Sequence, residues 1–90
     1  MKIEREVINI LTQEFVPVRL NVINQSHLHA GHAGDNGSGE SHFRVEIVSA
    51  RFDGQGRVER HRMVTDALSE HLKGPIHALS IKALAPSEDM

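Results

Sequence analysis

Residues 42–47 have the sequence His-Phe-Arg-Val-Glu-Ile, in which polar and apolar side chains alternate. Successive side chains of a β-strand point to opposite faces of the sheet, so this alternation predicts a strand that is buried on one side. Phe43, Val45 and Ile47 form the predicted inner face, and the polar residues between them form the outer one. The rest of the domain has to cover this inner face.

A second alternating stretch lies upstream, where Val18, Leu20 and Val22 are separated by polar residues. It predicts another half-buried strand, which ends near Ser26. Residues 30–40, between the two strands, contain four glycines and no branched apolar residue. This composition predicts a long, flexible loop, and loops of that length are often functional.

Two segments have apolar residues at helical spacing. The first ends before Pro17, and its apolar residues are Ile3, Val7, Ile10, Leu11 and Phe15. The second covers roughly residues 58–73 and ends at Gly74-Pro75, as a glycine followed by a proline should end a helix. Its predicted buried stripe consists of His61, Val64, Leu68 and Leu72.

The remaining elements complete the predicted fold. Arg51-Phe52 suits a short helical turn, and Asp53-Gly54-Gln55-Gly56 predicts a tight turn. A last alternating stretch, residues 77–83, predicts a third strand with His77, Leu79 and Ile81 on one face. Each element has one apolar face to bury, so we expect an α+β fold in which helices cover one face of a three-stranded sheet.

Composition limits the functions that the chain can have. Ninety residues make one domain, 1–90, and a net charge of −2 is too balanced for a general polyanion binder. Without cysteine there is no disulfide, no self-contained thiolate cluster and no thiol nucleophile. No apolar run approaches a membrane span of ~20 residues. We therefore expect a cytoplasmic protein, or one of the mitochondrial matrix if it is eukaryotic and processed, without membrane contact.

The chain has seven histidines, which are candidate metal ligands. Four of them, His27, His29, His32 and His42, surround the glycine-rich loop. Imidazole is the commonest protein metal ligand and ordinarily titrates near neutral pH, so the cluster predicts metal coordination or proton handling. The spacing of His27, His29 and His32 would also suit adventitious Zn²⁺ or Ni²⁺.

Several motifs, in order and register, resemble the BolA family over nearly the whole chain. They are Asn24-Gln25-Ser26 with His29, Gly39-Glu40-Ser41-His42-Phe43, Arg51-Phe52-Asp53-Gly54, and residues 60–64 and 76–81. The resemblance implies an αββααβ fold with a mixed sheet, related to the type II KH domain. It also implies a monothiol glutaredoxin as partner and a shared, bridging [2Fe–2S] cluster. For bacterial members it implies a transcriptional role in morphology and stress response.

In the family's shared cluster, the glutaredoxin and glutathione supply thiolates, and the BolA protein holds the other iron. A chain without cysteine would use histidines, which raise the reduction potential as they do in Rieske centres. By family analogy the ligands are His29 and His77, with His27, His32 and His42 as alternatives. We therefore expect a non-catalytic adaptor that is a monomer or weak homodimer when alone.

Each histidine also has a structural interpretation. His77 shares a predicted face with apolar residues and would suit the edge of the core. For His42 a structural hydrogen bond is expected, and for His61 a packing role on the buried stripe of its helix. His71 lies near a helix C-terminus, where the helix dipole favours a cation.

The alternative function is DNA binding by a basic strip on the second helix. The strip consists of Arg57, Arg60, Arg62 and Lys73. Acidic residues such as Glu59 and Glu70 lie at spacings that permit intrahelical ion pairs with this strip. Such pairs would make the strip a solvated face of mixed charge and not a DNA-binding surface. An enzyme is the least expected class, because no nucleophile elbow, phosphate loop or HExxH motif is present.

Overall fold

The computed structural model describes residues 2–26 and 39–89, in which the elements follow the predicted order. Helix α1 spans Lys2–Phe15, strands β1 and β2 span Arg19–Asn24 and His42–Val48, helices α2 and α3 span Arg57–Ala67 and Ser69–Lys73, and strand β3 spans Ala78–Leu84. Short 3₁₀ turns occupy Ala50–Phe52 and Pro86–Glu88. In this part of the chain no helix is long and apolar enough to cross a membrane.

Strand β2 is the centre of the sheet, whose order is β1-β2-β3. β1 runs antiparallel to β2, whereas β3 runs parallel to it. A parallel neighbour requires a crossover connection, which the segment containing α2 and α3 provides. The predicted α+β class and mixed three-stranded sheet are confirmed.

The core lies between the helices and one face of the sheet. Phe43, Val45 and Ile47 of β2 are at most 2% exposed, so the face predicted from their alternation is the buried one. They form one cluster with residues of the helices and connections, namely Val7, Leu11, Phe15, Phe52, Val64, Leu68 and Ile76. Burying each such side chain stabilises the fold by about 1.5–3 kcal/mol, so this cluster is the main source of stability.

The second predicted helix is two helices in the structure. The helical segment begins at Arg57 and is interrupted at Leu68, which has φ −102° and ψ 17°. Leu68 is fully buried and its N–H still bonds to the Val64 carbonyl, so the helix is interrupted without loss of the apolar contact. The prediction of one helix over 58–73 was wrong. The apolar spacing continues across the interruption, so the sequence pattern does not reveal it.

Two predicted faces also differ from the structure. Val18 is 71% exposed and lies before β1, so only the later positions of that alternation cover the core. His61 is half-buried and does not belong to the core cluster that contains its predicted stripe neighbours Val64 and Leu68. Val18 lies before its strand and His61 lies inside α2, and at both positions the packing of the rest of the fold decides burial.

Helix α1 ends in an unusual conformation at Val16. The Val16 N–H bonds to the Thr12 carbonyl at 3.1 Å, and its φ of 43° is left-handed. A glycine usually takes this position at the end of a helix, because a β-branched side chain is strained there. Val16 is also 71% exposed, so little burial offsets the strain.

Replacing Val16 with glycine should therefore stabilise the protein. The change relieves strain of about 1–3 kcal/mol but adds about 0.5–1 kcal/mol of unfolded-state entropy. We expect the free energy of unfolding in urea to rise by about 1 kcal/mol. Val58→Gly is the matched control, since Val58 is 74% exposed but lies inside α2, where glycine should destabilise. Equal destabilisation by both substitutions would contradict the strain assigned to Val16.

Candidate functional site

The ends of the segment that joins β1 to β2 are held together by side-chain hydrogen bonds. Ser26 Oγ accepts from the backbone N–H groups of Ser41 at 2.9 Å and His42 at 3.0 Å. Asn24 Oδ1 accepts from the Ser26 N–H at 2.9 Å, and Asn24 Nδ2 donates to the Gly39 carbonyl at 2.6 Å. We call Asn24, Ser26, Gly39 and Ser41 the loop clasp.

Glu40 connects the loop clasp to helix α1. Its Oε2 accepts from the backbone N–H groups of Ile3 at 2.8 Å and Glu4 at 3.0 Å. The first N–H groups of a helix have no partner within the helix, and the helix dipole favours a negative charge beside them. Glu40 therefore caps α1 from a distant part of the sequence.

Ser41 brings two histidines together. Its carbonyl accepts from the His77 N–H at 2.8 Å, and its Oγ forms a 2.8 Å hydrogen bond with His42 Nδ1. The two imidazole ring centroids are 5.5 Å apart, with an interplanar angle of 48°. His42 is buried and only 5% exposed, whereas His77 is exposed. We call His42 and His77 the histidine pair.

The histidine pair contains two of the predicted candidate ligands. His77 precedes β3 and is exposed, so the interpretation as a histidine at the edge of the core was wrong. The structural hydrogen bond expected for His42 is present. His27, His29 and His32 lie outside the described residues. Within residues 2–26 and 39–89, no three His, Asp or Glu side chains group as a metal site.

His71 has a partner that the sequence does not indicate. Its Nε2 lies 2.7 Å from Glu6 Oε1 on α1, and its buried Nδ1 has no hydrogen-bond partner among the described residues. The contact joins α3 to α1 across 65 positions of sequence. His71 therefore links two helices, in addition to the favourable interaction with the helix dipole that was expected from its position in the last turn of α3.

The predicted basic strip does not form one uniform surface. The Arg60 side chain is 13% exposed and donates to Glu88, to the Gln55 carbonyl at 2.8 Å and to the Ala83 carbonyl at 3.2 Å. Arg62 pairs with Glu59 at 3.7 Å, and Lys73 pairs with Glu70 at 3.9 Å. Arg57 is exposed at the start of α2.

Two carboxylates after β3 each form a two-point ion pair with an arginine. Glu88 Oε1 accepts from Arg60 Nη1 at 2.6 Å and from the Ala85 N–H at 2.8 Å. Asp89 accepts from Arg19 at 2.8 and 3.0 Å. The hydrogen bond from Arg60 lowers the pKa of Glu88, and that from Arg19 lowers the pKa of Asp89.

Sequence reasoning missed the roles of Ser26 and Glu40, although both belong to motifs that it singled out. A serine that accepts two N–H bonds resembles any loop serine in sequence. The capping role of Glu40 is equally hidden, because its partners on α1 are 36 and 37 positions away. Helix α1 has an acidic residue of its own in the first turn, Glu4, and Glu40 adds a second carboxylate from outside the helix.

These features define a small α+β domain with an exposed histidine beside a buried one and a clasped loop. A family model described as BolA-like protein matches residues 11–88, and the chain belongs to this family. Among solved structures, BolA1 from Arabidopsis thaliana is 43% identical with a TM-score of 0.87, covering 97% of this chain and 95% of that one. The BolA domain of SufE1 from the same plant is 41% identical with a TM-score of 0.89, covering 98% and 96%.

Curated relatives differ in how much of their length the chain spans. An uncharacterised protein of Sinorhizobium sp. is 51% identical over 79 residues, which are 87% of this chain and 85% of the relative. SufE-like protein 1 of Arabidopsis thaliana is 48% identical, but the chain covers 22% of it. For mouse BolA-like protein 1, at 49% identity, the covered share is 54%. The domain therefore also occurs within longer proteins.

The loop clasp predicts a stability effect for Ser26→Ala. The substitution leaves the buried N–H groups of Ser41 and His42 without their acceptor, and an unsatisfied buried group costs about 1–3 kcal/mol. We expect the free energy of unfolding in urea to fall by about 2 kcal/mol. Ser87→Ala, at an exposed position, is the control and should change it by less than about 0.5 kcal/mol. Equal effects of the two substitutions would contradict the role of Ser26.

The pair of Arg60 and Glu88 predicts a pH-dependent contribution to stability. Because folding lowers the pKa of Glu88, the contribution is present above its ordinary value of 4.5 and is lost as pH falls through the folded value. Glu88→Gln keeps an acceptor for the Ala85 N–H but removes the charge. We expect the variant to have a lower Tm than the wild type at pH 7, and we expect this difference to shrink at a lower pH, below 4.5. A difference that persists undiminished at the lower pH would contradict the ion-pair account.

Proposed function

We propose that this chain is a non-catalytic adaptor that pairs with a monothiol glutaredoxin and co-ligates a bridging [2Fe–2S] cluster through histidines. Its role would lie in iron–sulfur cluster trafficking or iron regulation. The observation that carries the proposal is the histidine pair, in which exposed His77 lies beside His42 next to the loop clasp. Membership of the BolA-like family agrees with such a role.

The donor chemistry of the site fits a cluster that receives its thiolates from elsewhere. The chain has no cysteine and therefore no thiolate, and its seven histidines offer imidazoles, which are borderline ligands that suit iron. His77 is exposed, as a ligand that meets a cluster carried by a partner has to be. When bound, such a cluster supplies one-electron chemistry, and imidazole ligation raises its reduction potential.

The loop clasp supports His29 as the second ligand. His29 follows Ser26, a member of the loop clasp, by three positions of sequence. Ser26 itself contacts the His42 backbone. We therefore propose His29 and His77 as ligands and keep His27, His32 and His42 as alternatives.

Two further parts of the proposal concern the partner and the compartment. SufE1 of Arabidopsis thaliana contains a BolA domain. This arrangement supports the proposal that a BolA domain acts together with another protein domain. For this chain we propose glutathione and a monothiol glutaredoxin as the thiolate donors, in the cytoplasm or the mitochondrial matrix. Alone, the chain would be a monomer or a weak homodimer.

DNA binding is the less supported alternative. Arg60, Arg62 and Lys73 each have a carboxylate partner, and phosphates would have to displace Glu88, Glu59 and Glu70. Displacement costs part of the electrostatic gain that drives binding to nucleic acid. The adaptor role requires no such rearrangement.

The direct test is His77→Ala in the complex reconstituted with iron, sulfide, glutathione and a monothiol glutaredoxin. We expect the mixed-ligand absorption and circular-dichroism spectrum to disappear, leaving that of the glutaredoxin homodimer. The fold should persist, because His77 is exposed and precedes its strand. His61→Ala is the control, since His61 is a half-buried histidine on another element. An unchanged spectrum for His77→Ala would remove His77 from the site.

The loop ligand is tested by His29→Ala and by the triple replacement of His27, His29 and His32. We expect the single change to weaken the hetero-cluster at least about tenfold, as judged by the glutathione concentration that releases it. The triple change should eliminate loop ligation, because no neighbouring imidazole can then substitute. A triple variant with the wild-type spectrum would place the second ligand elsewhere, and His42→Ala would then be the decisive variant.

A further inference from the structure

Strand β3 has one edge that pairs with no other strand in the described sheet. The Ala78 N–H bonds to the Ser41 carbonyl, and the Leu84 carbonyl accepts from the Ser49 N–H, so both residues direct their backbone groups toward β2. These groups alternate along a strand. The backbone groups of Leu79, Ile81 and Ala83 therefore point outward at the open edge.

Among the described residues, a side chain covers the edge at its C-terminal end. Arg60 Nη1 donates to the Ala83 carbonyl at 3.2 Å. Across the described ranges, the outward N–H and C=O groups of Leu79 and Ile81 form no hydrogen bond. An edge with unpaired backbone groups is a template for an added strand.

A cleft of about 430 Å³ runs beside this edge, between β3 and the start of α2. Its walls include Arg57, Arg60 and Lys82, half-buried His61, and a single acidic residue, Glu88. Neither Arg57 nor Lys82 closes an ion pair within residues 2–26 and 39–89. The cleft is thus cationic in a chain whose net charge is −2.

One carboxylate of the chain already shows how the cleft receives an acidic side chain. Glu88 Oε1 and Oε2 accept from Arg60 Nη1 and Nη2 at 2.6 and 3.2 Å. This two-point contact is the favoured geometry between arginine and a carboxylate. Arg57 and Lys82 line the same cleft and offer further cationic partners.

We propose that the open edge of β3 and its cationic cleft form a docking site for an extended, acidic peptide segment of a partner protein, which adds to the sheet as a fourth strand. The peptide backbone pairs with Leu79 and Ile81, and its acidic side chains meet Arg57 and Lys82. Strand addition draws affinity from backbone hydrogen bonds and specificity from alternate side chains.

A second copy of this chain fits the edge less well. Pairing two β3 edges would bring Lys82 and Arg57 of one copy toward the same residues of the other, and opposed like charges destabilise a sheet. Lysine on an edge strand is a common protection against self-pairing.

Single-stranded nucleic acid also fits less well. Such sites combine a basic groove with aromatic side chains on which bases stack. The chain has no tryptophan or tyrosine, and its three phenylalanines are at most 4% exposed. A nucleic acid also has no peptide backbone, so it could not form the regular strand hydrogen bonds with the unpaired N–H and C=O groups of β3.

The docking site does not depend on the proposed cluster role. Ile81, at the centre of the open edge, lies four positions after His77, which corresponds to ~13 Å along an extended strand. An adaptor with a ligand site at one end of β3 and a peptide site toward the other can hold two partners together. Each site can therefore fail its test independently of the other.

The test titrates the full ¹⁵N-labelled chain with a capped peptide of alternating valine and glutamate while amide shifts are recorded. We expect saturable binding, with shifts concentrated in residues 79–84 and 57–61 and slower exchange of the Ile81 amide. Two control peptides should bind at least about tenfold more weakly. One has lysine for glutamate, and the other is N-methylated at alternate backbone nitrogens, which removes the strand hydrogen bonds but keeps the charge.

Variants locate the charge contribution. Arg57→Glu combined with Lys82→Glu should weaken binding at least about tenfold, whereas Arg62→Glu, on the exposed side of α2, should not. The proposal is overturned if the acidic peptide fails to bind, if the methylated peptide binds equally, or if the shifts lie elsewhere. It is also overturned if oligothymidylate binds the cleft more tightly than the peptide, or if the chain self-associates through β3.

Discussion

The hydrogen bonds of buried Ser41 join all three strands at one end of the sheet. Its N–H donates to Ser26 after β1, its carbonyl accepts from His77 and Ala78 at the beginning of β3, and Ser41 itself directly precedes β2. Ser41 is fully buried, so every one of these polar groups needs its partner. The end of the sheet, the loop clasp and the histidine pair are therefore connected through the hydrogen bonds of one residue.

These connections explain why a 90-residue chain can present a defined site beside a long loop. Ser26 and Asn24 fix both ends of the loop, and Glu40 ties the same region to the start of α1. Fixing both ends in this way is a form of preorganisation, which lowers the entropic cost of ligand binding. The opposite end of the sheet is held by ion pairs of Glu88 and Asp89, which leaves the edge of β3 open between the two.

The sequence predicted the fold where a pattern reports burial directly, as the alternation of Phe43, Val45 and Ile47 does. The sequence did not predict the exposure of Val18 or the half-buried state of His61, because packing by other elements decides burial at these positions. It also did not predict the interruption of the helix at Leu68. For the site, family motifs led to His77, but the pairing with His42 depends on the parallel register of β2 and β3. Contacts such as Glu40 with α1 join residues far apart in sequence, and no local pattern encodes them.

The central claim is that imidazoles of this chain bind an iron of the shared cluster. The most direct measurement is pulsed electron paramagnetic resonance of the reduced complex, with ¹⁵N-histidine in this chain and an unlabelled glutaredoxin. The account predicts strong ¹⁵N hyperfine couplings from two histidines, one of which is lost in His77→Ala. A reduced cluster without any strong ¹⁵N coupling from this chain would contradict it.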